Sequence, residues 1–142
     1  MMDDCRYLFV YGSLRRVFNH PMHDWLVRYA SWVGDATFGG RLFSLGAYPG
    51  AVPTSQPTAQ VKGEVYEVLD ATALFAQLDG YEDFLPENPT ASLYLRQIHE
   101  IGLTDGRRLP AWVYVYNRPV IGLPQVASGD WRDEKEEREE EE

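Results

Sequence analysis

Residues 7–14 read YLFVYGSL, an apolar and aromatic run that is stopped by Gly12 and Ser13. Apolar side chains at consecutive positions predict a central strand that is buried on both faces, because successive side chains of a strand point to opposite sides. Gly12 allows the backbone to approach a ligand closely, and consecutive N–H groups in such a turn can converge on an anion. The segment therefore predicts a central strand that ends in either an ordinary turn or an anion-binding turn.

Further along the chain, the apolar pattern alternates between helices and strands. Asn19-His20-Pro21 predicts the start of a helix, since proline is well placed in a first turn, and Asp70 predicts the cap of a second helix over residues 71–78. We expect a loop over residues 46–59 and a hairpin turn at residues 104–107. The other predicted strands cover residues 31–45, 61–69, 93–103 and 109–116. This order favours an α+β fold with a strongly bent, mostly antiparallel sheet or a small barrel.

Composition and charge restrict the class of protein. With 142 residues, of which 44% are apolar, the chain suits one globular domain. The net charge is −9, and residues 133–142 alone contribute −6, so the acidity belongs mostly to a tail. The chain has no basic face of the kind that nucleic acids require, and its two lysines form no polybasic membrane patch. We predict a domain over residues 1–131, an acidic tail over residues 132–142 that is solvated or disordered, and no nucleic-acid or membrane partner.

The N-terminus and the cysteine content indicate a cytoplasmic location. Residues 1–4 are acidic where a secretory signal would be basic, and no signal-like apolar region follows them. Apolar runs such as Tyr7 to Val10 are far shorter than the ~20 residues of a membrane span. Cys5 is the single cysteine, so an intramolecular disulfide is excluded. We expect an inert thiol in the cytoplasm.

The motifs of the sequence do not indicate a serine hydrolase site or a metal site. Ser13 lacks the G-x-S-x-G elbow of a serine hydrolase. His20 and His23 are three residues apart, but His99 is the only other histidine and there is no HExxH motif. The sequence therefore predicts no metal site.

Glu82 is a candidate acid or base. If helical geometry continues past Gly80, Glu82 shares a helix face with Phe75 and Leu78 and points toward apolar material. A carboxylate in such surroundings must be paired, or its pKa rises toward a value that suits a general base. If the helix ends at Gly80, Glu82 is instead a solvated carboxylate at a helix end.

Aromatic residues cluster on the last predicted strand. The period of two places Trp112, Tyr114 and Tyr116 on one face. On the preceding strand, Tyr94 and Arg96 share a face. Such aromatic walls suit a small-molecule pocket and suit a plain hydrophobic core equally well.

Taken together, these motifs resemble the gamma-glutamylcyclotransferase-like family, in particular its small bacterial-type members and the gamma-glutamylamine cyclotransferases. The resemblance runs in order over roughly residues 6–131, and its most specific elements are V-Y-G-S-L at residues 10–14 and L-D-x-x-E at residues 78–82. The remaining matches are Arg15-Arg16, Asn19-His20, Tyr48-Pro49, Gly63-Glu64-Val65-Tyr66, Tyr94-Leu95-Arg96, Ala111 to Tyr116 and Ser128-Gly129-Asp130-Trp131.

The resemblance implies a small antiparallel barrel with flanking helices and a cavity at the end of the first strand. It further implies that backbone N–H groups of the first turn bind the substrate α-carboxylate, that a glutamate is the catalytic acid/base, and that a late tyrosine lines the pocket. In this chain those residues are Tyr11, Gly12, Ser13 and Leu14 for the turn, Glu82 for the acid/base and Tyr114 for the wall. Two departures are Arg16-Val17-Phe18 and Asp83, where many members have glycine.

The function that the resemblance implies is release of 5-oxoproline from a γ-glutamyl amide. The substrate's own α-amine is the nucleophile, so such a reaction needs neither a metal nor a cofactor. Two alternatives remain open: a module on the same scaffold that binds a carboxylate-bearing metabolite without turning it over, and an interaction protein that acts through its acidic tail. The sequence leaves open the leaving group and the oligomeric state.

Overall fold

The computed structural model describes residues 5–134, and the elements of this part are six β-strands and two complete α-helices, with a helical turn beginning at residue 131. The strands are β1 (Tyr7–Val10), β2 (Ala30–Ser44), β3 (Pro49–Pro53), β4 (Gln60–Val68), β5 (Tyr94–Leu103) and β6 (Arg108–Tyr116). The helices are α1 (Pro21–Tyr29) and α2 (Ala71–Tyr81), and short 3-10 turns lie at Arg16–Phe18 and Pro89–Ala91.

Five of the strands close into a barrel. Their order is β2-β4-β1-β6-β5, and β2 pairs again with β5 where Phe38 faces Ile101. Every pairing is antiparallel except that of β1 with β6, where Leu8 faces Trp112. The barrel is therefore mixed but mostly antiparallel, which confirms the predicted α+β class.

Two apolar clusters pack on the two faces of the barrel wall. Phe9 and Tyr11 belong to the inner cluster, together with Trp131, which is almost fully buried. Leu8 and Val10 belong to the outer cluster, which packs against α1 and α2. The alternation of β1 side chains between the two clusters confirms the prediction of a strand buried on both faces.

Several local predictions are confirmed. The His20 side chain accepts a hydrogen bond from the N–H of Met22 at the start of α1, and Asp70 accepts one from Ala73 at the start of α2. In addition, the register of β2 shifts between Trp32 and Gly34, which marks a β-bulge. Helix α2 also continues through Gly80 to Tyr81, which meets the condition for turning Glu82 inward.

The loop predicted over residues 46–59 is wrong in part, because Pro49–Pro53 forms β3. This strand pairs only with β2, with Val52 opposite Arg41. Its two prolines stand at the ends of the strand, where a missing N–H interrupts the ladder least. Pairing with the long neighbouring strand therefore outweighs the turn composition of the segment.

The ends of the chain lie outside the described residues. These are residues 1–4 and residues 135–142, which carry most of the predicted acidic tail, so the predicted domain boundary after residue 131 stays a prediction. Within residues 5–134, neither α1 nor α2 nor any other helix has the length and apolar content that crossing a membrane requires.

Candidate active site

A cavity of about 270 Å³ opens at the end of β1. It lies between the turn that follows β1, the C-terminal end of α2 and tyrosines of β5 and β6. All of the site residues predicted from the sequence line this cavity: Tyr11, Gly12, Ser13, Leu14, Glu82 and Tyr114. The structure therefore brings together two segments that are about seventy residues apart in the chain.

The turn after β1 offers unpaired backbone donors. Its main-chain bond runs from the N–H of Arg15 to the carbonyl of Gly12, at 3.0 Å. Among residues 5–134, no hydrogen bond uses the N–H groups of Gly12, Ser13 or Leu14. A Cβ atom added to Gly12 would lie 3.1 Å from the Pro49 ring, so glycine permits this close approach. Three successive free donors at the rim of a cavity suit an anion.

A buried ion-pair cluster that lies outside the cavity lining anchors the turn. The Arg15 guanidinium bonds Asp130 at 2.8 Å and lies 3.8 Å from the Glu64 carboxylate. Glu64 in turn accepts hydrogen bonds from the N–H of Arg16 and from the Tyr66 hydroxyl. All three charged side chains of the cluster are almost fully buried, so the turn is tied to β4 and to the segment that precedes Trp131. Arg16, part of one departure from the family pattern, contributes to this anchorage.

Glu82 follows α2 directly and turns its carboxylate into the cavity. Its N–H caps the helix by bonding the carbonyl of Leu78 at 2.9 Å. No side-chain hydrogen bond among residues 5–134 involves the Glu82 carboxylate. Burial, with a smaller contribution from the charge of Asp83, raises the pKa of Glu82 from 4.5 to about 8. The group is thus a partly buried acid that can both accept and release a proton near neutral pH.

Asp79 fixes the end of α2 to the barrel. It pairs with Arg96 of β5 through two hydrogen bonds, of 2.9 and 3.1 Å, and accepts a third from the Tyr114 hydroxyl at 2.7 Å. The Arg96 guanidinium stacks on Phe75 at 4.1 Å and on Trp112 at 4.7 Å. Since Glu82 lies less than one helical turn further on, this anchor limits where its carboxylate can lie.

Sequence reasoning missed the roles of Asp79 and Arg96. Both residues stand inside recognised motifs, and Asp79 is three residues before Glu82, which is the spacing of neighbours on a helix face. That spacing was the one available signal, but it does not reveal that Asp79 meets β5. The face shared by Tyr94 and Arg96 was predicted correctly, since both pack in the outer cluster.

Three buried tyrosines form a wall with fixed hydroxyl groups. Tyr11 donates to the carbonyl of Tyr114 at 2.5 Å and accepts from the N–H of Ala51, and Tyr94 donates to the carbonyl of Pro49 at 2.6 Å. Burial is the main cause that raises the pKa of all three hydroxyls. They stay protonated at neutral pH, so they are neutral hydrogen-bonding groups rather than bases.

The Ser13 hydroxyl joins the two halves of the site directly. It lies 2.6 Å from the Tyr81 hydroxyl at the end of α2, so the turn and the helix end are in contact. Residues 5–134 contain no group of three or more His, Cys, Asp or Glu side chains that could hold a metal ion. The cavity combines main-chain donors that can bind an anion with a carboxyl group whose pKa is raised.

Comparisons with known proteins agree with this geometry. The family model described as "Gamma-glutamyl cyclotransferase, AIG2-like" matches residues 8–133. The gamma-glutamylcyclotransferase family protein YtfP of Escherichia coli K12 is 39% identical over 127 residues, which are 89% of this chain and 96% of the relative. The solution structure of E. coli YtfP superimposes with a TM-score of 0.61 at 37% identity, covering 91% of this chain and 98% of that one.

More distant structures share the fold. YkqA from Bacillus subtilis matches with a TM-score of 0.70 at 24% identity, over 95% of this chain and 42% of that chain. An AIG2-like protein from Mus musculus matches with a TM-score of 0.67 at 23% identity, over 86% of each chain. The family model spans nearly all of the described residues, and it includes both the turn after β1 and Glu82. This chain belongs to the gamma-glutamyl cyclotransferase, AIG2-like family.

Proposed function

We propose that this protein converts a γ-glutamyl amide into 5-oxoproline and a free amine. One observation carries the proposal: the free N–H groups of residues 12–14 and the unpaired carboxyl group of Glu82 line the same cavity. An α-amino acid moiety needs this pair of features, because its carboxylate requires donors and its ammonium group requires a base. Membership of the family supports the same class of reaction.

Binding orients the substrate in this proposal. The α-carboxylate accepts hydrogen bonds from the N–H groups of Gly12, Ser13 and Leu14. The α-amine then lies beside Glu82, and the γ-carbonyl faces the tyrosine wall. Fixing a chain that can fold on itself places the amine near the γ-carbon, and such orientation is worth up to roughly 7–11 kcal/mol in ideal cases.

The chemical step moves two protons from the α-nitrogen to the leaving nitrogen, one at a time through Glu82. Glu82 accepts a proton from the α-ammonium group, and the freed amine attacks the γ-carbonyl carbon to form the new C–N bond of the five-membered ring. The original amide C–N bond then breaks as Glu82 gives this proton to the departing nitrogen, and Glu82 next takes the second proton from the ring nitrogen and passes it to the released amine. A pKa of about 8 suits both transfers, because the group exchanges protons readily near neutral pH.

The direct test is release of 5-oxoproline from a panel of γ-glutamyl amino acids and γ-glutamyl amines. We expect the Glu82→Gln variant to lose about 100-fold or more in kcat, which is the usual contribution of a general acid/base. Glu87→Gln is the matched control, because Glu87 is exposed and does not line the cavity. Equal turnover by wild type and Glu82→Gln would refute the proposal.

The binding-module alternative gives a different result in the same experiment. Thermal stabilisation by 5-oxoproline or glutamate derivatives, with no product from any amide in the panel, would replace the enzymatic proposal with a binding function. Substitution of the Gly12–Leu14 turn should then weaken binding in the same way. The two outcomes are therefore separated by one assay for product and one for stability.

A further inference from the structure

We infer that the leaving amine of the substrate carries a second, positively charged group, and that Asp83 at the cavity selects it; this inference rests on the proposed function. The proposed reaction itself does not require any particular leaving group. The charges around the cavity distinguish between the two main classes, which are amino acids with a free carboxylate and amines with a further ammonium group.

The cavity lining contains acidic side chains and no basic ones. Fourteen of the described residues line it, and none of them is lysine, arginine or histidine. The charged residues among the fourteen are Glu82 and Asp83. Once the α-carboxylate occupies the N–H groups of the turn, no cation in this lining remains to pair with a second carboxylate. A leaving amino acid would therefore bring its negative charge next to two acidic side chains.

Two arginines near the cavity, Arg96 and Arg15, already pair with carboxylates of the protein. Arg96 forms a two-bond pair with Asp79 and is packed between aromatic rings. Arg15 is buried behind the turn, where it pairs with Asp130. Both guanidinium groups therefore form ion pairs with the protein's own carboxylates, and neither belongs to the cavity lining.

Asp83 is positioned beside the path of the leaving group. Glu82 returns the proton to the leaving nitrogen, so the leaving chain must begin next to Glu82 and continue toward the cavity mouth. Asp83 is the next residue, is exposed and lines the same cavity. Among residues 5–134, no hydrogen bond or ion pair holds its carboxylate.

The backbone of Asp83 is held in place even though its side chain is free. Its φ of 52° lies in the left-handed region, its N–H bonds the carbonyl of Gly80 at 3.2 Å, and its carbonyl accepts the N–H of Leu93 at 3.0 Å. A left-handed residue after a helix explains why glycine suits this position in other members, and aspartate is among the few other residues that tolerate it. The chain thus keeps a conformation typical of glycine while adding a carboxylate at the cavity.

Aromatic rings complete a surface for an alkylammonium group. Tyr48 and Tyr81 both line the cavity and leave 47% and 40% of their surface exposed. Exposed tyrosine faces attract cations and also pack against methylene chains. The Tyr81 hydroxyl is held by Ser13, so its ring has a defined position. A carboxylate beside two exposed rings is a suitable site for the ammonium end of a diamine.

The test uses three substrates of matched length: the γ-glutamyl amides of 1,4-diaminobutane, butylamine and 4-aminobutyrate. Their chains are of similar length and end in a group whose charge is plus one, zero or minus one. We expect kcat/KM to fall in that order, with about tenfold between the first and the last, since each interaction of an exposed charge pair is worth a factor of about three. Release of 5-oxoproline is the readout for each substrate.

The variant Asp83→Asn keeps a side chain that tolerates the left-handed conformation and removes the charge. We expect it to reduce the tenfold preference in kcat/KM to about threefold or less. Glu87→Gln removes the same charge from an exposed residue outside the cavity, and it should keep the full preference. Raising the salt concentration should weaken the preference of the wild type, because the pair is exposed.

The outcomes separate this inference from the proposed function. Turnover of the neutral butylamide without a preference for the diamine amide would overturn the inference and leave the proposed function standing. An unchanged preference in Asp83→Asn would overturn the role of Asp83. Absence of 5-oxoproline from all three amides would count against the proposed function itself.

Discussion

The Asp79–Arg96 pair allows a quantitative prediction, because the chain contains a second Asp–Arg pair on its surface with a similar N–O distance. Asp79→Asn removes the charge and one acceptor oxygen, and leaves the Arg96 guanidinium stacked on aromatic rings without its partner. Asp79 and Arg96 side chains are only 16% and 18% exposed, whereas the Asp105–Arg107 pair is 51% and 61% exposed. The two pairs have N–O distances of 2.9 and 2.8 Å, but the Asp79–Arg96 pair is more buried and has two side-chain hydrogen bonds where the Asp105–Arg107 pair has one.

The expected cost follows from this difference in burial. Breaking a fully buried pair costs about 3–5 kcal/mol, and the partial exposure of this pair reduces the figure to about 2–3 kcal/mol. For a chain of this size that corresponds to a fall in Tm of roughly 7–10 °C. Asp105→Asn should give a much smaller shift, because water screens an exposed pair. Asp79→Asn should also lower kcat by about tenfold at 15 °C, where the variant stays folded, since Glu82 loses its anchor.

Differential scanning fluorimetry on both variants, together with 5-oxoproline release at 15 °C, tests this reasoning. Equal Tm values for the two variants would show that burial does not strengthen the Asp79–Arg96 pair. A large fall in Tm with unchanged kcat would show that the pair stabilises the fold without positioning Glu82. Asp79→Glu is a useful third variant, because it restores the charge at a different distance.

Three further predictions concern other parts of the chain. Burial raises the pKa of Glu82 from 4.5 to about 8. The free energy of unfolding of the wild type, relative to that of Glu82→Gln, should therefore be highest below pH 4.5 and should decline as the pH rises through 8. Melting curves from pH 4 to 9 measure this change. Gly129→Ala should destabilise the protein by about 3 kcal/mol or more, since φ is 73° and the new Cβ would lie against the carbonyl oxygen of Gln60. Gly122→Ala, with φ of 87° and no atom within 4 Å, should cost only about 1 kcal/mol by urea titration, and equal costs would exclude the clash as the cause. Asp130→Asn should raise KM more than it lowers kcat, because Arg15 loses its ion pair and the anion-binding turn becomes less firmly held. Steady-state kinetics measure both constants, and a fall confined to kcat would contradict this role.

Local chemistry explains which elements were predictable from the sequence. The strand at Tyr7–Val10, the capped start of α2 at Asp70 and the hairpin between β5 and β6 depend on side chains within a few residues of each other. The short strand Pro49–Pro53 depends instead on the free edge of β2, which no local pattern reveals. The sequence predicted that the Glu82 side chain points inward only if the helix continues past Gly80. In the structure α2 does continue to Tyr81, and Leu78 packs in the outer cluster.

The sequence by itself determined the class of fold, the family and the residue types at the candidate site, because each of these depends on composition, period and short motifs. Only the tertiary structure decided that the turn after β1 and the end of α2 line one cavity, with Asp79 tied to Arg96 and Arg15 tied to Asp130. The physical reason is that closure of the barrel joins segments far apart in the chain. The desolvation that raises the pKa of Glu82 and the pattern of paired and unpaired charges at the cavity exist only after that closure.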